Sequence, residues 1–416
     1  MAIEKAITIE DQVDLKVKDR SKGMELEVDV TEEDADFDNF EQLEDGNIAF
    51  GMPTPPMEDT DFYANLAEII DDGDLNSVKN DLMGNIDADK ESRKEWEKTY
   101  REGLEYLGMN YEERTQPFDG ASGVMHPLLA ESVTQFQAQA YNELLPSQGP
   151  VKTQVIGMAT PETEQQASRV QEFMNYQLMQ VMREYDSETD QMLFYLPLSG
   201  SAFRKVYYDQ NLGRAVSKFI PSEDLIVPYG ATDLHSATRI THVINMSMNE
   251  IRKLQQVGFY RDVELNYGTV NPDETDEIQE EIDKLQGVEP NYSDDDNCQV
   301  FESHVELDIP GFEDMNAEGE ETGIKLPYIV TMANGKVLSI RRNYKENDQL
   351  KERINYFVHY KFLPGLGFYG FGLTHMIGGL SKASTSILRQ LIDAGTLSNL
   401  PAGFKARGIR IRNDDQ

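Results

Sequence analysis

The stretch Phe362–Asp415 reads FLPGLGFYGFGLTHMIGGLSKASTSILRQLIDAGTLSNLPAGFKARGIRIRNDD. Its glycine- and aromatic-rich turn, Gly365–Gly370, is preceded by a β-branched and aromatic run, Ile354–Leu363, that predicts a strand. Helix formers with periodic apolar side chains then predict one long helix, Leu373–Leu397. Pro401 cannot continue the helix, and the residues after it predict a further strand.

The turn matches the G-x-G-x-x-G pattern of dinucleotide-binding folds, and a strand before it with a helix after it is the context that such a site needs. Two features favour a purely structural turn. No acidic residue closes a second strand about 20 positions further on, since Asp393 falls inside the predicted helix. The pattern also contains or adjoins three aromatic residues, which are typical of a turn packed onto a core: Phe368, Tyr369 and Phe371. A nucleotide site is the alternative interpretation.

Four basic residues lie within eight positions near the end of the chain: Lys405, Arg407, Arg410 and Arg412. On a strand, the first two share one face and the last two share the other. Such a cluster in an acidic chain predicts a surface that faces phosphate groups, as in DNA, or an acidic partner. Ordinary solvated charge on a strand is the alternative.

Upstream of the turn, the patterns predict helices first and strands later. Apolar spacing predicts helices over 75–108, 127–145 and 160–186, and alternation predicts strands between 201 and 363. Asn334-Gly335 is the strongest hairpin signal. The fold class is therefore α+β. One face of the third helix is expected to be buried in helix packing: Val170, Phe173, Met174, Leu178, Val181, Met182 and Tyr185.

Charge divides the chain into regions. Between Gly23 and Gly73 there is no Lys or Arg, and large apolar residues are few. This part therefore cannot bury enough apolar area to offset the conformational entropy that ordering would cost. The predicted regions are a disordered acidic N-terminal arm (1–60), a helical region (61–200), a β-rich region with acidic loops at 267–297 and 310–324 (201–363), and a region with the turn, the long helix and the basic C-terminal segment (364–416).

The composition excludes several classes of protein. The 416 residues include 38 Lys+Arg against 75 Asp+Glu, a net charge of -37, which argues against a uniform nucleic-acid coat. A single cysteine excludes a disulfide scaffold and a cysteine-rich metal cluster. No apolar run approaches the roughly 18–20 residues of a membrane helix, and no signal peptide is expected.

The sequence contains no catalytic pattern. It has no G-x-x-x-x-G-K-[ST] loop, no H-E-x-x-H pair and no G-x-S-x-G elbow, and its six histidines are scattered. Cys298 follows Asp294, Asp295 and Asp296, which would raise a thiol pKa rather than activate a nucleophile. We therefore predict no catalytic residue, no cofactor and no metal ligand.

Three blocks of the sequence, in order, resemble the large portal proteins of tailed bacteriophages: Gly120–Gly157, Phe203–Ile244 and Phe362–Asp415. The last block is distinctive, with a Gly/aromatic turn, a helix ending Leu-Arg-Gln-Leu-Ile-Asp-Ala and a Leu-Pro-x-Gly-Phe-Lys-Ala-Arg-Gly-type strand. The resemblance spans roughly residues 75–415. It implies a portal-type fold with helical wing elements, a strand-rich middle and a long helix leading toward the clip and stem.

The resemblance also implies a structural protein without catalytic residues, in a ring of about twelve subunits at the unique capsid vertex of the virion, assembled in the host cytoplasm. Its expected partners are the terminase large subunit, major capsid and scaffold proteins, tail adaptor proteins and double-stranded DNA passing through the channel; no membrane is expected. Family members continue beyond this point, so we expect a C-terminally truncated chain. Two alternatives stay open: a nucleotide-dependent oxidoreductase using Gly365–Gly370, and a different ring-forming head–tail connector.

Overall fold

The structure is a computed structural model and describes residues 62–109, 114–209, 212–265, 277–288, 297–315 and 321–399. The helices are α1 Asp72–Ser92, α2 Lys94–Glu105, α3 Leu128–Leu144, α4 Pro161–Tyr176, α5 Tyr185–Ser199, α6 Met248–Gln256, α7 Glu277–Gln286 and α8 Leu373–Asn399. The strands are β1 Ser201–Asp209, β2 Arg214–Ile220, β3 Leu225–Ile226, β4 Arg239–Ser247, β5 Asn297–Leu307, β6 Leu326–Ala333, β7 Lys336–Arg342 and β8 Phe357–Lys361. This mixture confirms the predicted α+β class.

The strands form two antiparallel sheets. The first has the order β2-β1-β8 and the second the order β3-β4-β5-β6-β7. The β6–β7 hairpin turns at Asn334 and Gly335, where both residues have positive φ, 47° and 68°, as the Asn-Gly signal predicts. Between the sheets, Phe203 and Phe357 from the first pack with Leu225 and Ile240 from the second.

The helices cover different faces of this framework. α1 buries Leu82 and Ile86 against Tyr328 and Ile340 of the five-stranded sheet. Burial of one such aliphatic side chain contributes about 1.5–3 kcal/mol. A separate cluster joins α2, α3 and α7 through Tyr100, Leu104, Leu129, Val133 and Ile278, with the start of α8 packed against it.

The helix predicted over 75–108 is two helices that meet at Arg93. Arg93 has φ -105° and ψ 3°, which interrupts the helical path. Its guanidinium is 6% exposed and donates to three backbone carbonyls across the chain: Ser222 (3.4 Å), Glu223 (2.6 Å) and Leu225 (3.0 Å). The break therefore follows from tertiary hydrogen bonds, which helical periodicity cannot show.

The prediction that the third helix buries its Met-rich face is wrong over residues 161–176 and is confirmed only beyond them, at Met182, which is 5% exposed. α4 has no buried residue, and Val170, Phe173 and Met174 are 50%, 60% and 44% exposed. The regular helix also ends at Tyr176, followed by a π-turn, Gln177–Val181, before α5 begins at Tyr185. Periodicity identifies an apolar face correctly, but it does not say whether the same chain covers that face.

Local sequence signals set several element boundaries. α3 ends at Leu144, just before Pro146, and the Ser247 side chain caps α6 by accepting from the Glu250 amide at 3.2 Å. The acidic stretch predicted at 267–297 contains α7. The predicted acidic arm at 1–60 and part of the loop at 310–324, residues 316–320, lie outside the described residues.

Candidate functional site

The Gly365–Gly370 turn lies where two backbone segments cross. A Cβ on Gly370 would collide with the carbonyl oxygen of Gly200, and a Cβ on Gly372 would come within 2.6 Å of the Leu198 oxygen. Gly200 itself ends α5 in the left-handed conformation, φ 84°, which glycine adopts without steric cost. These glycines allow close packing between the end of α5 and the start of α8.

Three amide groups at the end of this turn and just before α8 bond within the protein. The Gly370 amide donates to the Ser201 hydroxyl at 2.8 Å, and the Phe371 amide donates to the Leu363 carbonyl at 2.8 Å. At the start of α8, the Gly372 amide donates to Nδ1 of His375 at 3.2 Å. A phosphate cradle needs such amides to point at the ligand, so this arrangement is that of a packing turn.

The aromatic residues anchor the turn on both sides. Tyr369 stacks on Trp96 of α2 with ring centroids 4.4 Å apart, and burial raises the pKa of its hydroxyl. Phe368 packs on His359 and Phe203 at 4.7 and 5.8 Å. The turn thus fixes the start of α8 to α2 and to the three-stranded sheet.

The sheet topology also argues against a dinucleotide site. Such a site requires a parallel β-α-β unit, in which the strand before the glycine turn has a parallel neighbour. β8 instead pairs antiparallel with β1, with Phe203 opposite His359. Every strand pair within the described residues is antiparallel, so the oxidoreductase alternative has no support in the fold.

Three hydrogen bonds attach α8 to the segment 122–126. The Asp393 carboxylate accepts from the Ser122 amide at 2.7 Å, and the Thr385 hydroxyl accepts from the His126 amide at 3.0 Å. Arg389 Nε donates to the Val124 carbonyl at 2.8 Å. Two of the blocks that carry the family resemblance, Gly120–Gly157 and Phe362–Asp415, therefore meet in space.

A cavity of about 650 Å³ lies beside this contact, between α8, the end of α2 and the segment 114–125. Its charged lining residues are Glu105, Arg114, Lys382, Arg389 and Asp393. The apolar lining comes from Tyr106, Pro117, Phe118, Met125 and Leu397. The cavity is thus amphipathic and holds three basic side chains against two acidic ones.

A buried ionic cluster joins the two sheets. Lys205 Nζ on β1 lies 2.5 and 2.6 Å from the carboxylate oxygens of Glu302 on β5. His304 Nε2 lies 2.8 Å from Glu302 Oε1, and the Asn343 amide donates to His304 Nδ1 at 3.3 Å. Lys205 and Asn343 are far in sequence from the Glu302/His304 pair, and the four residues match no motif, so sequence reasoning missed the cluster.

The cluster has strongly perturbed ionisation. Burial alone would raise the pKa of Glu302, but Lys205 and His304 outweigh it and hold that pKa well below its usual range. Burial lowers the pKa of His304 and, with help from the Lys205 charge, lowers the pKa of His242 to about 3. The cluster is a salt bridge beside neutral imidazoles.

The remaining predicted site residues have different outcomes. Lys405, Arg407, Arg410 and Arg412 lie outside the described residues. Cys298 is 2% exposed and packs near Met248 and Ile251, and burial raises the pKa of its thiol. Asp294–Asp296, which were expected to raise the pKa of this thiol, are not among the described residues.

Two kinds of feature are absent from the part of the chain that the structure describes. Nowhere in it do three or more His, Cys, Asp or Glu side chains form a group that could hold a metal ion. None of the helices described is both long enough and apolar enough to cross a membrane.

The family model of the phage SU10 portal protein matches residues 202–408. The chain belongs to the phage portal proteins. The match begins within β1 and runs through both sheets, the glycine turn and α8, and it includes Lys405 and Arg407. No curated protein matches the sequence.

Membership in this family gives the chain a structural role. Portal proteins form a homo-oligomeric ring in the phage capsid, and the family is structural rather than enzymatic. The matched region contains the Phe203–Ile244 block and most of the Phe362–Asp415 block. The Gly120–Gly157 block lies outside the match, although its residues 122–126 are bonded to α8 of this portal.

Proposed function

We propose that this chain builds the portal ring at the unique vertex of the capsid, with twelve copies around a channel for DNA packaging and ejection. The observation that supports this proposal is the family match over residues 202–408. That region includes both sheets, together with the turn that fixes α8 to them.

The same proposal assigns the partners. The ring docks the terminase large subunit during packaging and tail adaptor proteins afterwards, and it is surrounded by major capsid and scaffold proteins. Double-stranded DNA passes through the channel. A net charge of -37 supports a channel in which DNA slides without binding tightly, because a net acidic surface repels phosphates.

We propose further that the basic cluster Lys405, Arg407, Arg410 and Arg412 faces DNA phosphates or an acidic partner surface. The concentration of four basic residues within eight positions of a chain with a net charge of -37 supports this. Changing all four residues to Gln is expected to weaken DNA or terminase binding and to reduce its dependence on salt concentration. Unchanged binding and salt slope would assign these residues to ordinary solvated charge.

Electron microscopy of the purified chain tests the ring. We expect closed rings with twelve-fold symmetry and a central channel, and we expect them to retain terminase large subunit in a co-sedimentation assay. The proposal would be contradicted by a chain that stays monomeric at all concentrations, or by rings that bind neither terminase nor tail adaptors. Nuclease-protected DNA within rings from packaging extracts would support the channel.

A further inference from the structure

α8 buries small and polar side chains and exposes large apolar ones. Its buried positions are Thr374, Gly378, Ser381, Thr385 and Asp393. Met376, Leu380, Ile387 and Leu391 are 59% to 70% exposed, and we call them the α8 stripe. At 3.6 residues per turn these four side chains lie within about 60° of one another around the helix. An exposed apolar patch of this kind marks an interaction site.

A second apolar surface lies on residues 148–181, which we call the α4 projection. Among the described helices and strands, only the π-turn packs on α4 to more than a marginal extent. An extended segment lies beside the helix, where the Asn175 side chain bonds to the backbone of Val151 and Thr153 Oγ1 donates to the Ala167 carbonyl. The most exposed large apolar residues of the projection are Ile156, Met158, Val170, Phe173, Met174 and Tyr176.

We infer that the α4 projection of one protomer docks on the α8 stripe of a second copy. This inference rests on the proposed ring and names the surfaces that hold neighbouring subunits together. The two surfaces are different, so the contact is heterologous, and a heterologous contact closes into a ring when the rotation between copies allows it.

The sizes of the two surfaces match this role. Exposed side chains of this kind contribute on the order of 100 Å² each, so the ten together present about 1,000 Å² of apolar area. A specific interface needs at least about that much in total. Without this contact, both apolar surfaces would stay exposed to water, whereas docking one on the other covers both.

The charged side chains of α8 lie away from the stripe. Lys382, Arg389 and Asp393 are on the opposite side of the helix, where they line the cavity beside the segment 122–126. No charged residue lies on the α8 stripe itself, so the apolar surfaces can meet without burying an unpaired charge.

Cysteine cross-linking between two preparations tests the contact directly. The single native cysteine is removed by Cys298→Ala. One preparation then has Val170→Cys or Met174→Cys, and the other has Leu380→Cys, Ile387→Cys or Leu391→Cys. In mixed rings we expect disulfide-linked dimers in at least one pairing and none in either preparation alone. Links within one preparation would show a symmetric contact and overturn the inference.

Charge substitutions provide the second measurement. Phe173→Asp and Leu391→Asp should each lower the assembled fraction at least tenfold in sedimentation velocity. Both sites are exposed, so the melting temperature of the protomer should stay unchanged. Tyr229→Asp, at a residue 88% exposed and outside both surfaces, is the matched control and should assemble normally.

The outcomes separate the two proposals. If the wild-type chain forms no rings, the proposed function fails and this contact fails with it. If rings form but no pairing cross-links and Phe173→Asp assembles normally, the portal ring stands and its interface lies elsewhere. A cross-link inside a monomer bearing both Val170→Cys and Leu391→Cys would show that the chain covers its own stripe, and would also overturn the inference.

Discussion

Lys205 and Glu302 tie the three-stranded sheet to the five-stranded sheet. The Lys205 ammonium lies 2.5 Å from one carboxylate oxygen of Glu302, and the two side chains are only 14% and 16% exposed. The pair connects strands from different sheets, β1 and β5, so it acts on the relative position of the two sheets rather than on either sheet alone.

Removing one partner of this pair is expected to destabilise the fold. Lys205→Met leaves the Glu302 carboxylate shielded from water and without its cation, which should lower the free energy of unfolding by about 3 kcal/mol. Urea denaturation of the protomer measures this. The double variant Lys205→Met/Glu302→Leu should recover much of the loss, and a single variant as stable as wild type would contradict the expectation.

Acid should destabilise the fold through His242. Its pKa falls from the usual 6.5 to about 3 in the folded chain, so below pH 6.5 the unfolded chain binds a proton that the folded chain does not. Stability therefore decreases as the pH falls from about 6.5 toward 3. This group alone should remove about 2 kcal/mol at pH 5. His242→Phe should remove this part of the slope and leave the part due to His359, whose pKa burial also lowers to about 3. His235→Asn, at an exposed histidine, should leave the slope unchanged.

Two glycines of the turn, Gly367 and Gly370, should respond differently to substitution. Gly370→Ala forces a Cβ against the Gly200 carbonyl, whereas a Cβ on Gly367 meets nothing within 4 Å. We expect about 3 kcal/mol of destabilisation for the first change and almost none for Gly367→Ala, as judged by thermal unfolding.

Calorimetry with NAD should show no saturable heat. Saturable binding that Gly367→Val abolishes would overturn the interpretation of a packing turn.

Arg93 should matter for stability far more than its neighbour. Arg93→Met leaves the carbonyls of Ser222, Glu223 and Leu225 without their shared donor. The loss of several charge-assisted bonds at a buried site should lower the free energy of unfolding by about 3 kcal/mol. Lys94→Met is the matched control because the Lys94 side chain is 65% exposed. Equal effects of the two changes in urea denaturation would contradict this role.

Salt should favour assembly of the ring. Protomers with a net charge of -37 repel one another, and the screening length falls from about 30 Å at 0.01 M salt to about 3 Å at 1 M. The association constant from sedimentation is therefore expected to rise with salt concentration. Association that weakens as salt is added would show that opposite charges across the interface outweigh the like-charge repulsion.

Local signals in the sequence were sufficient for many elements. The Asn334-Gly335 dipeptide, the Ser247 cap and the proline after α3 act within a few residues of themselves, so the hairpin and these helix boundaries follow from them. The aromatic residues of the Gly365–Gly370 turn already indicated packing, and Tyr369 and Phe368 do pack on Trp96 and His359. The family resemblance came from three blocks of sequence, and the match over residues 202–408 confirmed it.

The α+β class, most helix and strand positions and the portal family thus follow from the amino-acid sequence. Packing was needed to show where Arg93 breaks a helix, which apolar faces of the described helices remain uncovered, and that Lys205 meets the Glu302/His304 pair. The difference lies in the sequence range of the interactions. Secondary structure depends on neighbours a few residues apart, whereas burial and ion pairing depend on residues such as Lys205 and Glu302, 97 positions apart, that only the packed sheets bring together.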